Sequence, residues 1–375
     1  MSAKYTHSNN SFESFYTELK NNSDNLTYSK QVQIDNTLRL RELQTTLPDF
    51  CKEYFRALEP RTSVRTRLSY GYDIRLFFQF LIQSNPVFKN HKTTDFTLNN
   101  LDKLEAVDIE EYLDYLKLYK DTNGKIHTNE ERGIHRKLSA LRSLYYYFHR
   151  RQLLENNPTL LVDMPKIREK EIIRLDYDEV ASLLDLVEHG GEHLSGIKKT
   201  YYEKNKFRNL AIFTLLLGTG IRVSECVGLD MTDIDFRNGR LKIIRKGGKE
   251  DFIYFGSEVE DALKDYLELS RNTITTLPGH ENALFLSIQR RRITVRAIEN
   301  LVSEYAKQIT TLKHITPHKL RSTYGTTLYR ETGDIYLVAE VLGHNDVNTT
   351  KKHYVALDED RKRHAASVVK LREEL

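Results

Sequence analysis

A chain of 375 residues has room for two domains, and with 39% hydrophobic and 10% aromatic residues it can bury real cores, which excludes a disordered tail or linker protein. The 57 Lys and Arg stand against 53 Asp and Glu, a net charge of +4 that permits nucleic-acid binding without demanding it. No apolar run approaches the ~20 residues that span a membrane, the opening MSAKYTHSNNSFESFY has no apolar secretory core, and the two cysteines, Cys51 and Cys226, are too far apart to suggest a metal site or a disulfide framework, which points to a reducing cytoplasm.

Residues 1–44 are polar and balanced in charge, and read as an N-terminal extension, with an amphipathic stretch NTLRLRELQTTLP ending at Pro48. From 45 to 152 the periodicity is helical. FCKEYFRAL opens the segment, and SVRTRLSYGYDIRLFFQFLIQ places Ile74, Phe77, Phe78 and Leu81 on one stripe. VDIEEYLDYLKLY reads as one continuous helix. NEERGIHRKLSALRSLYYYFHRR repeats Ile134, Leu138, Leu141, Leu144, Tyr145 and Phe148 at helical spacing, leaving His135, Arg136, Ser139 and Arg142 off the stripe. This is a small helical domain. The stretch 153–175, with two prolines, a charge run and no sustained period, is a linker.

The second domain, 176–357, starts with the helix YDEVASLLDLVEHG, closed by glycines. After a polar insertion, FRNLAIFTLLL is a buried helix broken by GTG, and IRVSECVGL begins the next. GRLKIIR and DFIYF are β-type runs around KGGK and predict a hairpin. SEVEDALKDYLELS, RAIENLVSEYAKQI, HKLRSTYGTTLYRET and IYLVAEVLG are helical, and 358–375 is a charged C-terminal helix. The fold class is mainly α with a small antiparallel sheet.

Three stretches and the segment VLGHNDVNTTKKHY carry candidate chemistry. In GTGIRVSE, Arg222 falls at a helix start, where free N–H groups and a guanidinium both favour an anion, and Glu225 lies one turn on to orient it. Lys246 enters the glycine turn of RKGGKEDF. In TPHKLRSTYGTTL, Thr316 and Pro317 open a helix, and His318 and Arg321 stand one turn apart on one face. Taken singly, each is also what an ion pair, a polar turn or a half-exposed helix would give. Taken together, Arg222, Lys246, His318, Arg321, His344 and Tyr354 contain neither a Ser–His–acid order nor a carboxylate cluster for Mg²⁺. They suit a phosphate attacked by tyrosine, where positioning and charge neutralisation are most of the work and a lysine can protonate an alkoxide leaving group.

GTGIRVSECVGLDMTDID, IRKGGKEDF, TPHKLRSTYGTTL and LGHNDVNTTKKHY come in the order in which the tyrosine recombinase (phage integrase) family carries its boxes, and the chain over about 205–357 resembles that family. The helical domain before it is similar to the family's core-binding domain, and YYEKNKFRNLAIFTLLLGTGIRVSE is most similar to the single-protein Xer recombinases of streptococci and their relatives. The resemblance implies a two-domain C-shaped DNA clamp and site-specific strand exchange with neither metal, cofactor nor ATP. Arg222 and Arg321 would clamp the scissile phosphate, supported by Glu225. His318 and His344 would hydrogen-bond its oxygens, Lys246 would protonate the 5′-hydroxyl, and Tyr354 would form a 3′-phosphotyrosine bond. The spacing from His344 to Tyr354 is one residue longer than the family's commoner one, and Ser322 replaces a larger residue after the second arginine.

Candidate DNA contacts are Arg65, Arg67, Arg136, Lys137 and Arg142 in the first domain, Arg245 and Lys249 beside the active site, and the run Gln289–Arg292. The partners implied are duplex DNA with a specific recombination site, a homo-tetramer on DNA built from a monomer or dimer by exchange of the C-terminal helix, and an accessory translocase or directionality factor. No membrane partner is expected, and the location implied is the bacterial cytoplasm. A type IB topoisomerase-like enzyme, with similar chemistry and no synapsis, is the alternative.

Overall fold

The computed structural model describes residues 27–121, 123–167, 172–245 and 247–343. The chain divides into two compact units, one over 25–170 and one from 171 onward. Both are mainly helical with small antiparallel sheets.

In the first unit, α1 (Tyr28–Thr45) and α2 (Phe50–Leu58) precede the long α3 (Val64–Ser84). Ser63 starts α3 by accepting the Thr66 N–H at 3.1 Å, which satisfies one of the helix's open donors. Short α4 (Leu98–Asp102) and α5 (Ala106–Lys117) follow, and α6 (Glu131–Arg150) closes the unit. The stripe read from sequence on α6 is buried: Ile134, Leu138, Leu141, Leu144, Tyr145 and Phe148 enter one core with Phe77, Phe78 and Leu81 of α3.

Two features differ from the sequence reading. The compact unit takes in α1, which the reading left largely in a polar extension ending at 44. Leu40 and Leu43 of α1 are buried, and Leu43 lies over Gly71 of α3 so closely that a Cβ there would sit 2.6 Å from Leu43 Cδ2. The sequence marked the second half of this helix as amphipathic, and it is there that Leu40 and Leu43 are buried. The helix expected through Tyr119 instead stops at Lys117 and becomes a hairpin, β1 (Leu118–Lys120) with β2 (Ile126–Thr128). Asp121 explains the turn: its carboxylate accepts the N–H groups of Asn123 and Lys125, and Gly124 takes φ +77°.

In the second unit, α7 (Tyr177–His189) leads to α8 (Gly196–Thr219), which runs back through the polar stretch the reading set apart. Residues 211–216 of α8 are buried on every side, since α7, α10 (Ser257–Leu269) and α12 (Pro317–Thr332) pack around it. Gly220 ends α8 in the left-handed region at φ +62°, its N–H bonded to the Leu216 carbonyl. Then come α9 (Val223–Gly228) and a three-stranded antiparallel sheet, β3 (Ile234–Asp235), β4 (Arg240–Ile244) and β5 (Glu250–Tyr254), in that order. The expected hairpin is the β4–β5 pair, with Lys242 opposite Phe252 and Ile244 opposite Glu250. Helix α11 (Val295–Ile309) is capped by the Thr294 hydroxyl, and α13 (Ile335–Val341) by the Asp334 carboxylate.

If α1 belongs to the first unit's core, Leu43→Ala costs about 2–4 kcal/mol of stability through a cavity over Gly71. Urea unfolding of the variant measures it, and an unchanged midpoint would mean α1 is not part of the cooperative unit.

Candidate functional site

The GTG break places Arg222 just before α9. That helix has only six residues, so the favour it offers an anion comes chiefly from the guanidinium rather than a helix dipole. Glu225, one turn on, accepts the Arg222 backbone N–H at 3.0 Å with one oxygen and the guanidinium at 2.8 Å with the other. The Glu225 side chain is 5% exposed, whereas that of Arg222 is 35% exposed and reaches solvent. The outer edge of Arg222 also donates to the Gly343 carbonyl at 2.9 Å.

Arg321 is buried on α12, one turn beyond His318. Its guanidinium donates to the carbonyl of Gly220, in the turn that holds Arg222, and to the carbonyl of Leu342. One residue thereby ties three pieces together: the start of α12, the α8–α9 turn and the end of α13. His318 lies at the exposed start of α12, directly after Pro317.

Arg245, at the end of β4, is the third guanidinium of the group. It donates to Asp251 at 3.0 Å and to the Val341 and Leu342 carbonyls at 3.1 and 3.5 Å, and lies 3.6 Å from the second Glu225 oxygen. Burial pushes the Asp251 carboxyl up, but the Arg245 hydrogen bond, the Phe252 N–H and the charges of Arg245 and Lys249 together hold it below the usual carboxylate range. Three arginines thus meet three successive carbonyls, Val341 to Gly343, at the end of α13. A helix's last carbonyls have no partners of their own and carry its partial negative charge, so cations are favoured there.

The six residues singled out for chemistry are distributed as follows. Arg222 and Arg321 join one network with Glu225, and His318 is one turn from Arg321. Lys246 lies outside the described residues, directly after Arg245. His344 and Tyr354 also lie outside them, His344 directly after Gly343. The sequence reading missed the place of Asp251 and Arg245 in this group. A signal existed: Asp251 pairs with Ile243 across the hairpin, and Arg245, two residues on from Ile243, falls on the same face.

The expected DNA contacts divide. Arg65 is exposed at the start of α3, and Lys249 is exposed after the hairpin turn. Arg136 is partly exposed, donates to Ser69 at 2.8 Å and pairs with the buried Asp73. Burial raises the Asp73 carboxyl, against the pull of Arg136 and Lys137. The other cations are committed to protein. Arg67 is buried beside Glu59, 3.3 Å away. Lys137 is buried and donates to Asn129 at 2.7 Å, and Arg142 donates to the carbonyls of Thr159 and Val162. Arg245 is held as described above, and Arg292 donates to the Val227 and Leu229 carbonyls and pairs with Asp230, while Gln289, Arg290 and Arg291 are exposed. Helical periodicity locates a face but does not reveal which cations fold inward to cap a carbonyl. Among the described residues no three His, Cys, Asp or Glu side chains gather where an ion could be held, and no helix is long and apolar enough to cross a membrane.

A helical unit is thus followed by a mixed unit in which three arginines converge on the end of α13. The phage integrase family model matches residues 173–361, and the chain belongs to that family. It is 31% identical over 350 residues to the tyrosine recombinase XerS of Streptococcus equi subsp. zooepidemicus (strain H70), a match covering 86% of this chain and 96% of the relative. XerS of Lactococcus lactis subsp. cremoris (strain MG1363) is 30% identical over 348 residues, with the same coverage. Among solved structures, the fold is similar to the XerH site-specific recombinase bound to its difH substrate before cleavage, with TM-score 0.55 and 20% identity over 81% of this chain and 79% of that one. It is likewise similar to a lambda integrase dimer bound to a core site, with TM-score 0.55 and 16% identity over 81% and 93%.

Two substitutions test the geometry. Glu225→Ala leaves Arg222 and Arg245 without their shared carboxylate and costs about 2–4 kcal/mol, less than a fully buried pair because Arg222 is partly solvated. Glu225→Gln, which keeps an acceptor, costs less, and chemical denaturation ranks the two. Arg136→Ala costs about 1 kcal/mol at neutral pH by leaving buried, ionised Asp73 with Lys137 as its remaining cation. The charge is what needs the partner, so the gap from wild type closes on acidification as Asp73, whose carboxyl burial raises, takes up its proton. A gap that widens on acidification would contradict this.

Proposed function

We propose that this enzyme cleaves and rejoins DNA strands at a specific site through a covalent bond between Tyr354 and a 3′-phosphate. The observation that carries the reading is the convergence of Arg222, Glu225 and Arg321 at the carbonyls that immediately precede His344. Guanidinium groups that donate to carbonyl oxygens present the planar donors a phosphoryl group needs.

In the proposed step the Tyr354 oxygen attacks the phosphorus and its proton passes to His318 or to water. The bond from phosphorus to the 5′-oxygen breaks, and that oxygen takes a proton from the Lys246 ammonium. Arg222 and Arg321 neutralise the extra charge on the non-bridging oxygens, with hydrogen bonds from His318 and His344. Rejoining is the same step reversed with a new 5′-hydroxyl, so the phosphotyrosine bond conserves the energy and no metal or ATP is required.

Arg65, Arg136, Lys249, Arg290 and Arg291 would contact phosphates of the duplex and set register. XerH and the lambda integrase segment are seen on DNA in their own structures. For this chain, duplex DNA with a specific site, a homo-tetramer joined by the helix 358–375 and an accessory translocase or directionality factor belong to the proposal. So do a catalytic domain over 176–357 and a cytoplasmic site of action.

Trapping in cells tests it. Cells expressing wild type or Tyr354→Phe are lysed in SDS, DNA bound covalently to the protein is recovered, and its ends are sequenced. Adducts at one sequence in wild type and none in the variant are expected. Adducts that persist in the variant would remove Tyr354 as the nucleophile, and ends scattered without a common sequence would favour topoisomerase-like action.

A further inference from the structure

We infer that Arg245 is a positioning residue for proton delivery: it fastens the turn that carries Lys246 to the helix end that leads into His344. This deepens the reading above and rests on Lys246 being the group that protonates the leaving 5′-oxygen. The backbone of Arg245 frames the turn at both ends. Its N–H donates to the Lys249 carbonyl at 2.8 Å, and its carbonyl accepts the Gly248 N–H at 3.1 Å. Gly247 and Gly248 take φ +89° and +83° with open space around them, so the glycines themselves fix nothing.

The side chain of the same residue points the other way, into protein. It is 9% exposed and bonded to Asp251 and to the Val341 and Leu342 carbonyls, with Glu225 at 3.6 Å. Gly343 is shaped around this contact: at φ +57°, a Cβ on it would stand 2.7 Å from the guanidinium carbon. A planar group with five donors can meet two carbonyls and two carboxylates together; a lysine, as a single point charge, cannot reproduce that fork. Lys246 directly follows Arg245 in the chain, and a general acid displaced by an ångström loses much of its effect. Without Arg245, Glu225 still holds Arg222 at 2.8 Å and Arg321 keeps its own carbonyl partners, so the larger loss falls on proton transfer to the leaving oxygen.

The test is single-turnover cleavage of a duplex containing the recombination site, in its ordinary form and with sulfur in place of the bridging 5′-oxygen. A thiolate leaves without a proton, so a defect in proton delivery disappears on sulfur. Arg245→Met is expected to slow cleavage of the oxygen substrate about tenfold or more and to cleave the sulfur substrate within about threefold of wild type, with DNA affinity unchanged. Arg245→Lys is expected to show the same selectivity with a smaller defect. Because both substrates are read in one preparation, a loss of folded protein scales both rates and cancels in their ratio. Equal slowing on the two substrates, or a loss of DNA affinity that accounts for the slowing, would overturn the inference. Lys246→Ala separates the two layers: if its own defect persists on sulfur, the assignment of Lys246 fails and the inference with it, whereas rescue of Lys246→Ala alone removes only the role given to Arg245.

Discussion

The second unit's site depends on one buried carboxylate. Glu225 has a side chain 5% exposed, and an ion that far from water costs several kcal/mol unless cations surround it. Arg222 at 2.8 Å and Arg245 at 3.6 Å supply them. The arrangement fixes the planes of two guanidiniums from below and leaves their outer edges for other acceptors. Arg222 sits at the helix break after α8 and Arg245 at the end of β4, so one carboxylate links a helical element to the sheet.

Carbonyl groups complete the arrangement. The end of α13 offers the Val341, Leu342 and Gly343 oxygens, and Arg245, Arg321 and Arg222 each take at least one. Such a helix end is weakly anionic and needs donors. Its position is therefore set by the same arginines that would hold a phosphate, and it leads directly to His344. Under the proposed reading, the arginines that would bind the reacting group also hold the helix end that precedes His344 in the chain. The charge cluster is thus structural and chemical together, and substitution at Arg222 or Arg321 is expected to affect both.

Much of this was legible in the sequence because several of its elements are marked by strong local chemistry. The apolar run 211–216, the GTG break, the Thr316–Pro317 start and the two β runs around KGGK each impose their own local structure, and the β4–β5 hairpin formed as read. The paired placement of Arg222 and Glu225 was readable from helical spacing. What was hidden depends on long-range partners. Arg67, Lys137, Arg142, Arg245 and Arg292 read as surface cations, yet each reaches a carbonyl, an amide or a carboxylate beyond its own helical turn, from eight residues away for Arg67 and Lys137 to 96 for Arg245. The second half of α1 read as amphipathic, but its contact with Gly71 lies on another helix, and the β1–β2 hairpin depended on an Asp121 turn inside a run with good helical period.

The central claim is that Arg222 and Arg321 act by neutralising charge on a phosphate under attack. It is tested most directly by replacing the scissile phosphate with a methylphosphonate, which lacks the charged oxygen, and measuring cleavage by wild type and Arg321→Ala. The account predicts that the variant, slowed by about a hundredfold or more on the natural phosphate, recovers most of that loss on the neutral one. An equal defect on both substrates would contradict it and would leave Arg321 as a residue that only holds α12, Gly220 and the end of α13 together.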